Sequence, residues 1–258
     1  MREPDALDAV RVLAFALLAV AGVGLLVQAG MDQDLGLVLQ GFSFFAVPVL
    51  YARLAKLSPL GANGFSRITA RQAALVLLAS IATLWLLKGV FDLQTLVFRW
   101  LDLTERARAE EETITRGIDS VMRIGTFVTV GLLAFIVPLC EETLFRGILF
   151  RGLTSRFGAF FATAATAILF AALHMNLVQF VLMVFLGVYF GVLVRMTGSL
   201  WSSVIAHGLN NLAVVSLNIF YGPRVEGFIA PWWMVALSVV VFGLAMTLLS
   251  MERRAATA

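Results

Sequence analysis

The chain has 258 residues, 60% of them hydrophobic and 14% charged, with a formal net charge of +3; its mean hydropathy is +0.94. An average soluble domain is about 45–50% apolar and about 25% charged, so a soluble core is excluded and lipid is the expected solvent. The basic excess sits between apolar runs, where it sets topology against the anionic inner leaflet rather than binding nucleic acid. The single cysteine, Cys140, rules out an internal disulfide framework and a Cys-rich metal site, and in its apolar run it reads as a small buried hydrophobe.

A helix needs about 20 apolar residues to cross the hydrocarbon core, and only helices satisfy their own backbone in a spanning segment that faces lipid. Candidate spans lie near Ala9–Gln28, Leu35–Leu54, Ala73–Phe91, Ile124–Phe150, Phe157–His174, Leu177–Met196, Leu200–Phe220 and Pro231–Ser250. The opening MREPDALDAV lacks the features of a cleavable signal, so the first span is expected to stay as an anchor. The expected fold is an all-α membrane protein. About eight transmembrane helices form one bundle around a polar intramembrane cavity, and 1–258 is read as one domain. Its motif core is about 125–211, and about 99–123 is an interfacial or solvated helix rich in both charge signs.

Loop charges favour both termini in the cytoplasm. On that side fall Arg2, Arg11, Arg53, Lys56, Arg67, Arg71, Arg151, Arg156, Arg195, Arg253 and Arg254, against Arg224 in the last outer connection. The exception is the 99–123 segment, with Arg99, Arg106, Arg108, Arg116 and Arg123 among acidic residues. Gly187 and Gly191 form a Gly-x-x-x-Gly pair, read as ordinary close helix packing. Lys88 is expected to snorkel. Asn210 and Asn218 are read as interhelical hydrogen-bond partners, and Asn176 as a turn residue.

Charge inside the bilayer is costly, about 2.5–3.5 kcal/mol per residue on insertion scales, so each intramembrane ionisable group needs a reason. Three segments hold them. In Pro138-Leu139-Cys140-Glu141-Glu142-Thr143-Leu144-Phe145-Arg146, Glu142 and Arg146 are four apart and can pair on one face. Glu141 lacks such a cation and suits a general base. Phe170-Ala171-Ala172-Leu173-His174 closes the fifth span. In His207-Gly208-Leu209-Asn210-Asn211, His207 and Asn211 share a face and can hold a developing oxyanion. Both histidines of the chain are in this set. A carboxylate base, a histidine and a His/Asn donor pair are equipment for amide hydrolysis. Serine-hydrolase and zincin signatures are absent from the sequence. Glu141, His174 and His207 are also residue types that ligate a divalent metal, so metal-bound and metal-free water both stay open.

Glu-Glu-x-x-x-Arg, Phe-x-x-x-His and His-x-x-x-Asn, in this order on separate membrane helices, resemble the CAAX-protease and bacteriocin-processing family, which includes the type II CAAX prenyl endopeptidases. The resemblance covers about a third of the chain. It implies an eight-helix intramembrane endopeptidase in which Glu141 and His174 activate water, His207 and Asn211 bind the oxyanion, and Glu142 and Arg146 support them. It leaves the cofactor open, a divalent metal such as zinc or none. Implied partners are the bilayer and a peptide or protein substrate, lipid-modified or membrane-anchored. The substrate would be a prenylated CAAX-type tail, a peptide precursor or a sorting tail. The Ala/Val/Leu/Arg-rich composition is bacterial in character, which points to an inner-membrane protein. The competing readings are a proton- or ion-coupled transporter, because intramembrane Glu, His and Arg also mark proton relays, and a non-proteolytic scaffold or immunity protein. One difficulty stands out: His174 falls at the outer end of its span, whereas Glu141 and His207 lie deeper.

Overall fold

A computed structural model describes residues 2–57, 64–122, 125–221 and 230–257. These residues are almost wholly helical, and no strand occurs among them beyond an isolated bridge between Arg2 and Leu57. In chain order the helices are α1 (Ala6–Gln28), α2 (Gln33–Leu54), α3 (Ala70–Trp100) and α4 (Thr104–Met122). A helical run follows over Thr126–Leu173, 48 residues long. The last helices are α7 (Leu177–Thr197), α8 (Leu200–Tyr221) and α9 (Trp232–Thr257). Arg123 and Arg224 lie outside the described residues.

The 48-residue run is two spans. Straight, it would be about 72 Å long, more than twice the hydrocarbon core. Gly158 breaks it with φ 81 and ψ 162, a left-sided backbone open to glycine. The chain turns back there, because the rings of Phe145 and Phe170 meet at 5.2 Å. We call the two arms α5 (126–157) and α6 (159–173). Among the described residues six helices are long and apolar enough to cross a membrane, with Thr126–Leu173 counted once and Val38–Leu54 a shorter apolar helix, and the chain is a multi-pass all-α membrane protein.

Local chemistry sets the ends. Asp5 and Asp8 form a reciprocal capping box at α1, and Thr69 and Gln72 form one at α3, each serving N–H groups that a helix start leaves free. Asn176 caps α7 by accepting from Gln179 N at 2.8 Å, a more specific job than turn formation. Gly198, with φ 72, closes the same helix. α3 runs nine residues past its expected end and carries a polar outer stretch. Lys88 pairs with Asp92 and lies over the Phe91 ring, so its charge has a partner one turn on.

Two apolar clusters form the core. One joins α1, α2, α5 and α6 around Val12, Leu144, Phe145, Ile148 and Phe170. The other joins α3, α7, α8 and α9 around Val76, Phe190, Leu193 and Leu249. Gly187 and Gly191 face α6 within the chain: a Cβ on Gly187 would lie 2.7 Å from Ala167 Cα, and one on Gly191 3.2 Å from Thr163. The motif residues occupy the seam between the clusters.

Candidate active site

α5 brings both glutamates to the seam on irregular turns. Wide, π-type turns at Leu132–Ile136 and Thr143–Leu149 flank Val137–Glu142; such turns are rare and recur at functional sites. Pro138 explains part of this. It has no N–H, and the Val137 N–H reaches back to Leu132 O. Leu133 O thereby loses both helical donors that would serve it. Asn211 of α8 supplies the missing bond, its Nδ2 donating to Leu133 O at 2.9 Å. Gly208 makes this approach possible, because a Cβ there would collide with Ala134 O.

Glu142, Arg146 and His207 form one sealed knot. Glu142 and Arg146 side chains are fully buried. Glu142 Oε1 accepts from Arg146 Nη1 at 2.9 Å and from His207 Nδ1 at 3.1 Å. Arg146 Nη2 donates to Gly187 O at 2.8 Å, tying α5 to α7. Aromatic rings close the knot: the guanidinium lies 5.0 Å from the Phe170 ring and 5.4 Å from that of Phe190. The His207 ring stacks on Phe190 at 4.9 Å. Cation–π contact of this kind adds to a desolvated arginine's stability.

Glu141 faces the other way. With His174 it lines a cavity of about 130 Å³, whose walls also include Phe44, Phe145, Phe170 and Leu173. Its Oε2 is buried without a hydrogen-bond partner and lies 3.8 Å from His207 Nε2. His174 Nδ1 lies 2.8 Å from Phe170 O. A carbonyl only accepts, so the ring donates there, and neutral His174 keeps its lone pair on Nε2.

The depth difficulty resolves through helix length. α6 rises only about 22 Å before it ends at His174. Antiparallel pairing of Phe145 with Phe170 sets that end beside Glu141, while α5 still has 126–140 to run. Five of the six motif residues therefore gather in two linked groups, and Glu141 is the link: it shares a cavity with His174 and approaches His207; Asn211, one turn beyond His207, is bonded to Leu133 O instead. Sequence reasoning missed Phe190, the Leu133 and Gly187 carbonyls, and Gly208. Only the last carried a signal, a glycine between two polar positions of one helix face.

Among the described residues no group of three His, Cys, Asp or Glu side chains is close enough to hold a metal ion. Glu141 and His174 line one cavity, and His207, with Nδ1 bonded to Glu142, turns Nε2 toward Glu141 at 3.8 Å.

Comparison with known proteins agrees with the motifs. A family model for type II CAAX prenyl endopeptidase Rce1-like proteins matches residues 123–213. A protein of Bacillus subtilis (strain 168) named "Putative membrane peptidase YdiL" is 26% identical over 110 residues, 43% of this chain and 44% of that protein. No solved structure matches the chain. The matched stretch contains all six motif residues, and over it the chain is similar to the type II CAAX prenyl endopeptidases.

Proposed function

We propose that the protein is an endopeptidase that hydrolyses a peptide bond with water activated at Glu141. The observation that supports this is the position of Glu141, which lines the cavity with His174 and lies 3.8 Å from His207 Nε2. A water between Glu141 and His174 Nε2 gives one proton to the Glu141 carboxylate as its oxygen attacks the scissile carbonyl carbon. The carbonyl oxygen becomes an oxyanion, held by the second N–H of Asn211 and by His207. His207 donates from Nε2 only when both ring nitrogens carry protons, with Glu142 as counter-ion at Nδ1. Collapse of the intermediate breaks the C–N bond, and the proton on Glu141 passes to the leaving amine. Glu142 and Arg146 hold His207 and take no proton. No step is routed through a metal.

The loop charges favour both termini in the cytoplasm, which supports our reading of a bacterial inner-membrane protein. The His174 turn then faces the opposite side. That orientation favours a peptide precursor or a membrane-anchored sorting tail over a cytoplasmic prenylated tail. The peptidase relative and the family match favour hydrolysis over the proton-relay reading of the same residues. The test is Glu141→Gln in detergent with a peptide that the wild-type chain cleaves: turnover should fall about 10²- to 10⁴-fold. Undiminished turnover would sink the assignment.

A further inference from the structure

α4 has no part in the chemistry above, yet it is fastened to the turn that carries His174. Glu110 projects from it, and Glu110 Oε2 accepts from Leu177 N at 2.7 Å and Val178 N at 3.1 Å. These are the first two residues of α7. Their N–H groups are among those a helix start leaves unserved, and a carboxylate there also meets the favourable end of the helix dipole. Two further bonds anchor the same point. Asn176 caps Gln179 N at 2.8 Å, and Gln94 of α3, itself buried, donates Nε2 to Val178 O at 2.8 Å.

What these bonds hold is the turn His174-Met175-Asn176. Met175 sits at φ 47 and is 92% exposed. A non-glycine residue keeps a left-handed conformation only when its surroundings impose it, and the exposed Met175 side chain imposes little. The α6 end of the turn is secured by His174 itself, through Phe170 O at 2.8 Å and the Phe170 ring at 4.8 Å. The α7 end is secured by Glu110, Asn176 and Gln94. Of these, only Glu110 comes from the charged segment between α3 and α5.

We propose that Glu110 is a positioning residue of the active site: by capping α7 it fixes the turn that presents His174 to the cavity. Glu110 thus ties the helix Thr104–Met122 to that turn. The proposal rests on the protease reading for the role of His174, but not for its geometric content.

The chain has only two histidines, so ring ¹⁵N and ¹³C signals of histidine-labelled protein in detergent report each one separately. In Glu110→Ala the His174 signals are expected to shift or broaden while those of His207 stay in place. With a fluorogenic peptide cleaved by the wild-type chain and spared by Glu141→Gln, kcat should fall on the order of tenfold and KM should hold within about twofold. Glu110→Gln keeps an acceptor oxygen and should recover most of the rate. Arg106→Ala removes only the 3.3 Å ion pair to Glu110 and should match wild type. Unmoved His174 signals, or both histidines moving together, would overturn the proposal. Retained cleavage by Glu141→Gln would instead overturn the protease reading and leave the histidine spectra decisive for Glu110.

Discussion

Glu141 and Glu142 are neighbours in sequence, but they inhabit two different regions. Around Glu142 every device for stabilising buried charge is present: a paired guanidinium, a histidine donor, a backbone carbonyl for the arginine and two aromatic rings. Around Glu141 there is a cavity, a histidine with a free ring nitrogen and an orphaned carboxylate oxygen. Glu142 Oε2 and Arg146 Nε are also buried without a partner, so the orphaned oxygen does not by itself separate the two glutamates; the cavity does, because Glu141 lines it and Glu142 does not. An under-satisfied carboxylate at a cavity wall is poised for a ligand. The proposed function gives structure to one glutamate and chemistry to the other, and His207 touches both.

The largest expected effect strikes the sealed region. Arg146→Met leaves Glu142 buried beside His207 alone, and breaking a buried pair this way costs about 3–5 kcal/mol. A fall in the thermal midpoint in detergent measures it. Replacing both partners, Glu142→Leu with Arg146→Met, should recover most of that loss, since apolar substitutes of similar volume are often neutral. The His207 ring would then have no anchor at Nδ1, so activity should stay low in the stable double variant. Active double variant would merge the two regions again. Glu141→Gln supplies the opposite signature: the rate falls while the thermal midpoint holds or rises, because the variant removes the charge of a carboxylate whose Oε2 is buried without a partner.

Much of this was legible in the chain, for identifiable reasons. Span lengths follow from apolar runs, and the Glu142–Arg146 pair follows from a spacing of four on a helix face. A break between Ile124–Phe150 and Phe157–His174 was legible from Arg151 and Arg156 between two apolar runs, but its place at Gly158, on which the start of the short α6 depends, was not. Wide turns hide for a related reason: Pro138 signals a missing N–H, but which carbonyl is orphaned depends on how neighbouring turns widen. Phe190 and Glu110 were invisible because their partners lie far along the chain. One stacks on His207 from another helix, and the other caps a helix 67 residues away. The pairing of Lys88 with Asp92 was not foreseen because Asp92, one turn on, lay beyond the expected end of the span.

A smaller effect is expected at the contact that lets α8 approach α5. Gly208→Ala pushes a methyl group into the Ala134 carbonyl, and that neighbour is backbone that cannot rotate away. Overpacking of this sort costs about 1–3 kcal/mol. Because His207 and Asn211 ride on the same helix, the displacement reaches both regions at once, so rate and thermal midpoint should fall together. A rate loss with an unchanged midpoint would mean that the helix moves freely and that the two regions are less tightly coupled than their shared histidine implies.

A smaller loss of stability than at Gly208 is expected at Asn211, which is only partly buried. Asn211→Ala removes the donor to Leu133 O, and an ordinary hydrogen bond of this kind contributes about 1 kcal/mol. The amide has two N–H groups, one spent on Leu133 and one free for an oxyanion. A structural role alone predicts the small drop in thermal midpoint and an intact kcat. An oxyanion role predicts the same drop together with a kcat loss of about 10²- to 10³-fold. Asn211→Asp separates the two further. It places a carboxylate oxygen against the Leu133 carbonyl in place of a donor and should destabilise α8 more than alanine does. If the alanine variant keeps its kcat, Asn211 belongs wholly to the sealed region, and His207 is left to bind the oxyanion alone.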